Sequence, residues 1–257
     1  MGTKRKVIID ADSLCYMSSK GNVYDSIEVI DSRIQEIIEV TEATDYTLVL
    51  SEGKYFRHEV NPDYKGNRKG RGIPTYTKTL KEYIKADWGA LSYKEVEADD
   101  IASYYKFNDT DNEMVIATAD KDVLKQIPGS HYNYGKGEWV ETDLNEAFMF
   151  LWLQTLTGDH GDNIKGIKGV GPKKARDMIN DFQNSEDLSI KDLAGSILKI
   201  YLHHFPEPGQ SIYEFQKNFR QVYLLRTDED FMQEVGYIPK VEFKSTGVSV
   251  TTKEVEL

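Results

Sequence analysis

An α/β fold built on a mostly parallel central sheet flanked by helices is what this 257-residue sequence predicts, and two patterns carry it. Short apolar runs rich in β-branched residues alternate with amphipathic helical stretches, as in βαβ units whose sheet is parallel. The strand-like runs also end on carboxylates, where an α/β sheet places its ligands, beyond the carboxyl ends of the strands. Hydrophobic residues make up 39% of the chain and aromatics 11%, enough to bury a core and too much for a disordered chain.

Taken in order, "KVIID" (6–10) is a buried strand closing on Asp10. Ile27, Ile30, Ile34, Ile37 and Ile38 then recur every three or four positions, which predicts a crossover helix. "YTLVLS" (46–51) is the next strand, followed by Glu52. Residues 61–71, "NPDYKGNRKGR", break the rhythm, being polar, basic and glycine-rich, and a helical stretch follows over about 74–88. The segment 61–72 has little apolar area to hold itself rigid, so it is expected to be mobile until a partner orders it. "EADDIASYYKF" (97–107) opens with acids, as the first turn of a helix often does. "EMVIATAD" (113–120) is a strand ending on Asp120, with Asp122 just beyond. After Asp143 the pattern is mainly helical, and the tail after Ser245 is weakly patterned and expected to fray.

Several function classes fall away. The start "MGTKRKVIIDADSL" is not patterned as a signal peptide, and no apolar run is long enough to span a bilayer. The single cysteine, Cys15, excludes an internal disulfide framework and a cysteine-rich zinc site, so the expected compartment is the cytoplasm. A formal net charge of -11 is unlike a generic nucleic-acid binder, unless the acids are gathered into a metal site. Asp10, Glu52, Glu97, Asp99, Asp100, Asp120, Asp122, Asp159 and Asp162 all fall at or near predicted strand ends or in one late loop. Each alone reads as a cap or a solvated acid. Together they would repel one another unless a hard divalent cation sat among them, and Asp and Glu without cysteine suit magnesium or manganese better than zinc.

The late loop, "LTGDHGDNIKGIKGVGPKKA" (156–175), mixes those acids with lysines. Gly169 and Gly171 permit positive φ and close backbone approach, and Pro172 suits the first turn of a following helix. That helix start offers free N–H groups to a phosphate, and Lys173, Lys174 and Arg176 add positive charge. "DADSL" with "GDHGD" also resembles the haloacid-dehalogenase-type phosphatases, but that reading leaves Glu97, Asp99, Asp100, Asp120, Asp122 and the glycine–lysine loop without a role.

"IIDADSL", "SEGKYFRHEVNPDYKGNRK", "VEADDIA", "TADKDVLKQI" and "TGDHGDNIKGIKGVGPKKA", in that order over about 6–182, resemble the 5′ nuclease or flap endonuclease family, bacteriophage type. The resemblance implies a PIN-like α/β catalytic core over 1–145 with a helical arch at about 61–88. It further implies a helical part over 146–257 with a helix–hairpin–helix DNA-binding motif at about 150–182. One metal site would comprise Asp10, Glu97, Asp99, Asp100 and the acid after the second strand; counting back from Phe56 and Arg57 puts Glu52 there, where the family has Asp. Asp120, Asp122, Asp159 and Asp162 would form the second. Two Mg²⁺ ions (Mn²⁺ substituting) are implied, with a monovalent cation such as K⁺ at the hairpin.

Lys65 and Arg68 would act on the scissile phosphate, and Tyr64 would either stack on an unpaired base or pack as a structural tyrosine. Lys69, Arg71, Lys168, Gly169, Gly171, Lys173, Lys174 and Arg176 would bind the DNA backbone. The implied activity is hydrolysis near the 5′ ends of DNA or RNA primers in replication, leaving a 5′-phosphate and a 3′-hydroxyl. The expected partner of this monomer is DNA with a 5′ flap, nick or 5′ end, or an RNA–DNA primer junction, with no membrane. Two other readings are a catalytically silent, structure-selective DNA-binding protein and a PIN-type ribonuclease.

Overall fold

The computed structural model describes residues 5–246, apart from 69, 71, 112, 187 and 188. Lys69, Arg71 and most of the tail after Ser245 therefore lie outside the described residues. β1 (Lys6–Asp10) is buried on both faces, with Val7 and Ile9 toward one helical layer and Ile8 toward the other. α1 (Asp12–Ser18) and α2 (Val23–Val40) follow. Asn22 caps α2 through the N–H groups of Tyr24 and Asp25 while Asp25 reaches back, a reciprocal cap worth about 1 kcal/mol. The isoleucine stripe of α2 then buries Ile30, Ile34 and Ile37 against the sheet.

β2 (Asp45–Tyr55) outruns the reading that ended at Ser51, and α3 (Phe56–Val60) starts directly from it. A single 3-10 turn, Gly66–Arg68, precedes α4 (Thr77–Ala86), so the described part of the expected arch is a short linker and one helix. Next come β3 (Leu91–Glu95), α5 (Ala98–Phe107), β4 (Met114–Ala117), α6 (Lys121–Gln126), β5 (Gly129–Asn133) and β6 (Glu138–Thr142). The rest comprises α7 (Leu144–Thr157), α8 (Pro172–Glu186), α9 (Ala194–His204), α10 (Pro208–Val222), α11 (Asp228–Glu234) and β7 (Lys244–Ser245).

The sheet order is β3-β2-β1-β4-β5-β6, parallel from β3 through β5, with β6 antiparallel at the edge and β7 antiparallel on the start of β2. The order reverses between β1 and β4. In a doubly wound sheet this switch point is where a crevice opens at the carboxyl ends. One face is covered by α1, α2 and α4 through Leu14, Ile34, Leu80 and Ile84, and the other by α5, α6 and α11 through Ile101, Val123 and Phe231. A third cluster binds α7 to α10 around Leu156, Ile167, Ile179, Ile197, Tyr201 and Val222. Each such fully buried aliphatic side chain contributes roughly 1.5–3 kcal/mol. No helix among the described residues is long and apolar enough to cross a membrane.

Between α7 and α8 the chain crosses itself. A Cβ on Gly158 would lie 2.2 Å from the Ile164 carbonyl oxygen, and one on Gly166 would lie 2.0 Å from the Thr157 carbonyl carbon. The close approach of the chain to itself thus belongs to Gly158 and Gly166. Gly169 does adopt a positive φ of 79°, but Gly171 does not, and it stands in open space before α8.

Candidate active site

Three carboxylates sit at the switch point with no basic partner among the described residues. Asp10 ends β1 and accepts a hydrogen bond from Thr118 Oγ1 at 2.8 Å. The same Thr118 oxygen accepts from the backbone N–H of Asp120 at 2.9 Å, so one hydroxyl sets the spacing of two acids. Asp99 projects from the first turn of α5. Burial, followed by the charge of Asp12, pushes Asp10 up to about 7. Burial, with Asp120 and Asp10 adding to it, holds Asp99 well above the usual carboxylate range, and burial raises Asp120 as well. These acids line a cavity of about 620 Å³ together with Asp12, Glu97, Lys65, Arg68 and Lys81.

A second set of acids carries cations from the chain itself. Glu97 pairs with Lys65 and with Arg57 at 3.0 Å. Burial alone would raise the Glu97 carboxyl, but Lys65 and Arg57 hold it below its ordinary value. Asp162 is taken by Arg68, and Asp159 by Lys121 at 2.9 Å. Asp122 accepts from Gln154 Nε2 at 2.9 Å, and burial with the charges of Asp120 and Asp159 lifts it to about 7. No three of the described acidic, histidine or cysteine side chains converge on one ion position as they stand. The donor set nevertheless fits a hard divalent cation, since it is all carboxylate oxygen and three of its members, Asp10, Asp99 and Asp120, have no ion-pair partner among the described residues. His58, which lines the cavity, is committed to the Tyr55 N–H through Nδ1 at 3.2 Å.

A family model of the 5′-3′ exonuclease N-terminal, resolvase-like domain matches residues 7–147. The chain belongs to this family. It is 27% identical over 206 residues to the flap endonuclease of Escherichia phage T5, covering 70% of this chain and 66% of that one. It is 25% identical over 207 residues to a 5′-3′ exonuclease of Mycoplasmopsis pulmonis, covering 72% and 69%. The curated match thus spans about two thirds of each relative's length. Among solved structures, the fold is shared with the bacteriophage T5 flap endonuclease in a pseudo-enzyme-product complex with DNA and metal ions. The TM-score is 0.60 at 22% identity over 90% of this chain and 89% of that one. A zinc-bound form of the T5 5′-exonuclease gives the same score and identity over 85% and 86%.

Within this family fold most of the acids expected from sequence come together, and two do not. Asp100 is buried and held bidentately by Arg57, at 2.6 and 2.7 Å, and it also accepts the Leu225 N–H at 3.2 Å. Its oxygens are used and it lines no part of the acid cavity. Glu52 points outward, paired with Lys85 and Ser92, and its side chain is half-exposed. Side chains alternate along a strand, and Ser51 is the residue that turns inward, its Oγ accepting the Ala98 N–H at 2.9 Å. The register of β2 against β3 also shifts between Ser51 and Tyr55, which defeats counting back from Phe56.

The linker before α4 departs from expectation as well. Instead of standing loose, residues 61–68 are fastened to the 158–163 loop. The Lys65 N–H donates to the Asp162 carbonyl at 2.8 Å, Asn67 Nδ2 donates to the His160 carbonyl at 2.7 Å, and Asn163 Nδ2 donates to the Asp63 carbonyl at 2.8 Å. Tyr64 is 4% exposed within the helical core, and its hydroxyl donates toward Glu97 at 2.9 Å and Asp162 at 3.2 Å. It is not available as a base-stacking platform in this arrangement; the apolar partner that the linker's own composition lacks is the α7–α8 core. Two contributors went unread in the sequence. Asp12, two residues after Asp10, lines the cavity; Arg57, 1% exposed, spends its guanidinium on Glu97, Asp100 and the carbonyls of Gln221 and Tyr223. On the outer side, Lys168, Lys173, Lys174 and Arg176 are exposed around the start of α8, where Pro172 takes the first helical position.

Proposed function

We propose that this chain is a metal-dependent 5′ nuclease that hydrolyses phosphodiester bonds near the 5′ ends, flaps or nicks of DNA and at RNA–DNA primer junctions, leaving a 5′-phosphate and a 3′-hydroxyl. The observation that carries the proposal is the trio Asp10, Asp99 and Asp120, gathered at the switch point with no ion-pair partner among the described residues and facing the same cavity as Lys65 and Arg68. These three would hold one divalent ion; Asp122, Asp159 and Asp162, with Glu97 alongside, would hold a second. Mg²⁺ is the ion that suits an all-oxygen set, with Mn²⁺ as its substitute. Bound there, it supplies a strong nucleophile from water at neutral pH and offsets charge on the phosphate.

The chain's own groups do the rest. Lys65 and Arg68, which line the same cavity while paired to Glu97 and Asp162, would contact a phosphate oxygen there. Thr118 keeps Asp10 and Asp120 at a fixed spacing. The α8 start with Lys168, Gly169, Gly171, Lys173, Lys174 and Arg176 would hold a duplex backbone without reading sequence, and a K⁺ ion at the hairpin carbonyls belongs to the same proposal. The test is digestion of a 5′-labelled flap, a nicked duplex and single-stranded RNA with Mg²⁺ or EDTA. Cleavage of flap or nick with Mg²⁺ and none with EDTA is expected. Cutting of RNA alone would replace this reading with a ribonuclease, and tight binding without cleavage would replace it with a silent DNA-binding protein.

A further inference from the structure

Of the three lysines of α4, Lys78 pairs with Glu82 on the same helix, while Lys81 and Lys85, one turn apart, each reach a carboxylate at the end of the sheet. Lys85 pairs with Glu52 on the outer side. Lys81 pairs with Asp12 Oδ1, and its ammonium also donates to the Ser51 carbonyl at 3.2 Å. The other Asp12 oxygen accepts the Ser51 N–H at 3.0 Å, so Asp12, Ser51 and Lys81 close a ring joining α1, β2 and α4. The two pairs have the same chemistry and the same parent helix. They differ in place: Lys81 and Asp12 line the acid cavity together with Lys65 and Arg68, whereas Lys85 and Glu52 do not.

A clamp that only fastened α4 would serve equally well at either position. Lysine carries three N–H donors, and Asp12 and Ser51 account for two of them, which leaves one for a group in the cavity. Asp12 cannot turn without losing both its Ser51 and its Lys81 contacts, so it fixes where the ammonium points. From this geometry we infer that Lys81 contacts a phosphate of the substrate strand and that Asp12 is the residue that positions it. The inference rests on the nuclease reading above and adds to it a substrate contact on α4, separate from Lys65 and Arg68.

The experiment measures equilibrium binding of a 5′-flap duplex with Ca²⁺ in place of Mg²⁺ over a range of salt, followed by steady-state cleavage with Mg²⁺. Lys81→Ala should weaken binding roughly tenfold and lower the slope of log affinity against log salt by about one, since one phosphate contact releases about one counterion. KM should rise with kcat changed less. Lys81→Arg should restore most of the affinity. Asp12→Asn, which keeps the Ser51 contact but drops the charge holding Lys81, should raise KM by a smaller factor. Lys85→Ala, with melting behaviour matching that of Lys81→Ala, should bind and cleave like the parent. Equal losses in Lys81→Ala and Lys85→Ala, or an unchanged salt slope in Lys81→Ala, would make both lysines simple clamps and overturn the assignment. An Asp12→Asn protein indistinguishable from the parent would remove Asp12 as the positioning residue. A parent protein that binds flap DNA with Ca²⁺ but never cleaves with Mg²⁺ would defeat the nuclease reading, while the binding arms would still decide on Lys81.

Discussion

Asp10, Asp99 and Asp120 stand against Glu97, Asp159 and Asp162 as two halves of one carboxylate cluster, and the halves are neutralised differently. The first three have no lysine or arginine within ion-pair distance among the described residues, and burial drives their affinity for protons up. The second three are each covered by a side chain of this protein, Lys65, Lys121 or Arg68. The difference teaches where an incoming cation meets a standing vacancy of charge and where it meets a competitor. At the first half it relieves repulsion. At the second it would compete with an ammonium or guanidinium, and of these Lys65 and Arg68 line the acid cavity.

The largest expected effect breaks the first half. Asp120→Ala should lower flap cleavage by more than about a hundredfold, about 3 kcal/mol of barrier, while duplex binding with Ca²⁺ stays within a few-fold. Cleavage near the parent rate by the purified variant would end the assignment. Next, Lys65→Ala removes a competitor from the second half. Single-turnover cleavage at saturation should drop about ten- to a hundredfold, with affinity nearly constant, because its phosphate contact strengthens only as charge develops. A saturating rate equal to the parent's would return Lys65 to a structural role. Lys173→Ala with Lys174→Ala leaves both halves intact and should lower the salt slope by about two, alike for all duplex sequences. An unchanged slope would mark these lysines as a solvated face.

The smallest expected effect is on stability. Asp10 and Asp122 have native values near 7, above the ordinary carboxylate value of 3.8. The metal-free native state therefore holds protons that the unfolded chain has already released, and stability contributed by these groups is lost as pH rises from about 4 to about 7. His131, held near 4 by burial, works in the opposite sense between 4 and 6.5. Comparing Asp10→Asn with the parent cancels the histidine. The variant should gain Tm on the parent as pH rises across this window, and Mg²⁺ at pH 8 should raise the parent's Tm more than the variant's. Parallel melting profiles in the two proteins would show that Asp10 is charged throughout.

Much of this was legible in the sequence wherever a pattern was unbroken. β1 was read with its observed limits because an apolar run of that kind, closed by Asp10, is buried on both faces. The acids after β4 and in the 158–162 loop were legible because short spacing holds them near one another whatever the details. β3, β5 and β6 were missed, since "LSYKE", "GSHYN" and "EWVET" mix polar residues into edge or near-edge strands. In β5, His131 is buried with its Nε2 2.7 Å from the Ile127 carbonyl, a partner that no local pattern reveals. Glu52 was misplaced because facing in a strand depends on register, and β2 shifts register there. Asp12 was not read as a site residue; it stands in the first turn of α1, where an acid is common. The docking of residues 61–68 was hidden because its anchor, the α7–α8 loop, lies about a hundred positions away, and Asn163 to Asp63 is a separation of 100.

Arg57 carries a consequence for the order in which the protein is made. Its guanidinium holds Glu97 and Asp100, some forty residues further on, and the carbonyls of Gln221 and Tyr223, over 160 residues further on, at 3.0 and 2.8 Å. A chain still growing on the ribosome holds the two acids long before it holds the two carbonyls. During that interval two of the five donors of a group destined for full burial lack their native acceptors, at about 1–3 kcal/mol each if buried unpaired. The wall that presents Glu97 to the cavity is therefore set only when residues near the far end of the chain arrive. A copy cut short before α10 has both acids in its sequence but lacks two of the four groups that hold Arg57.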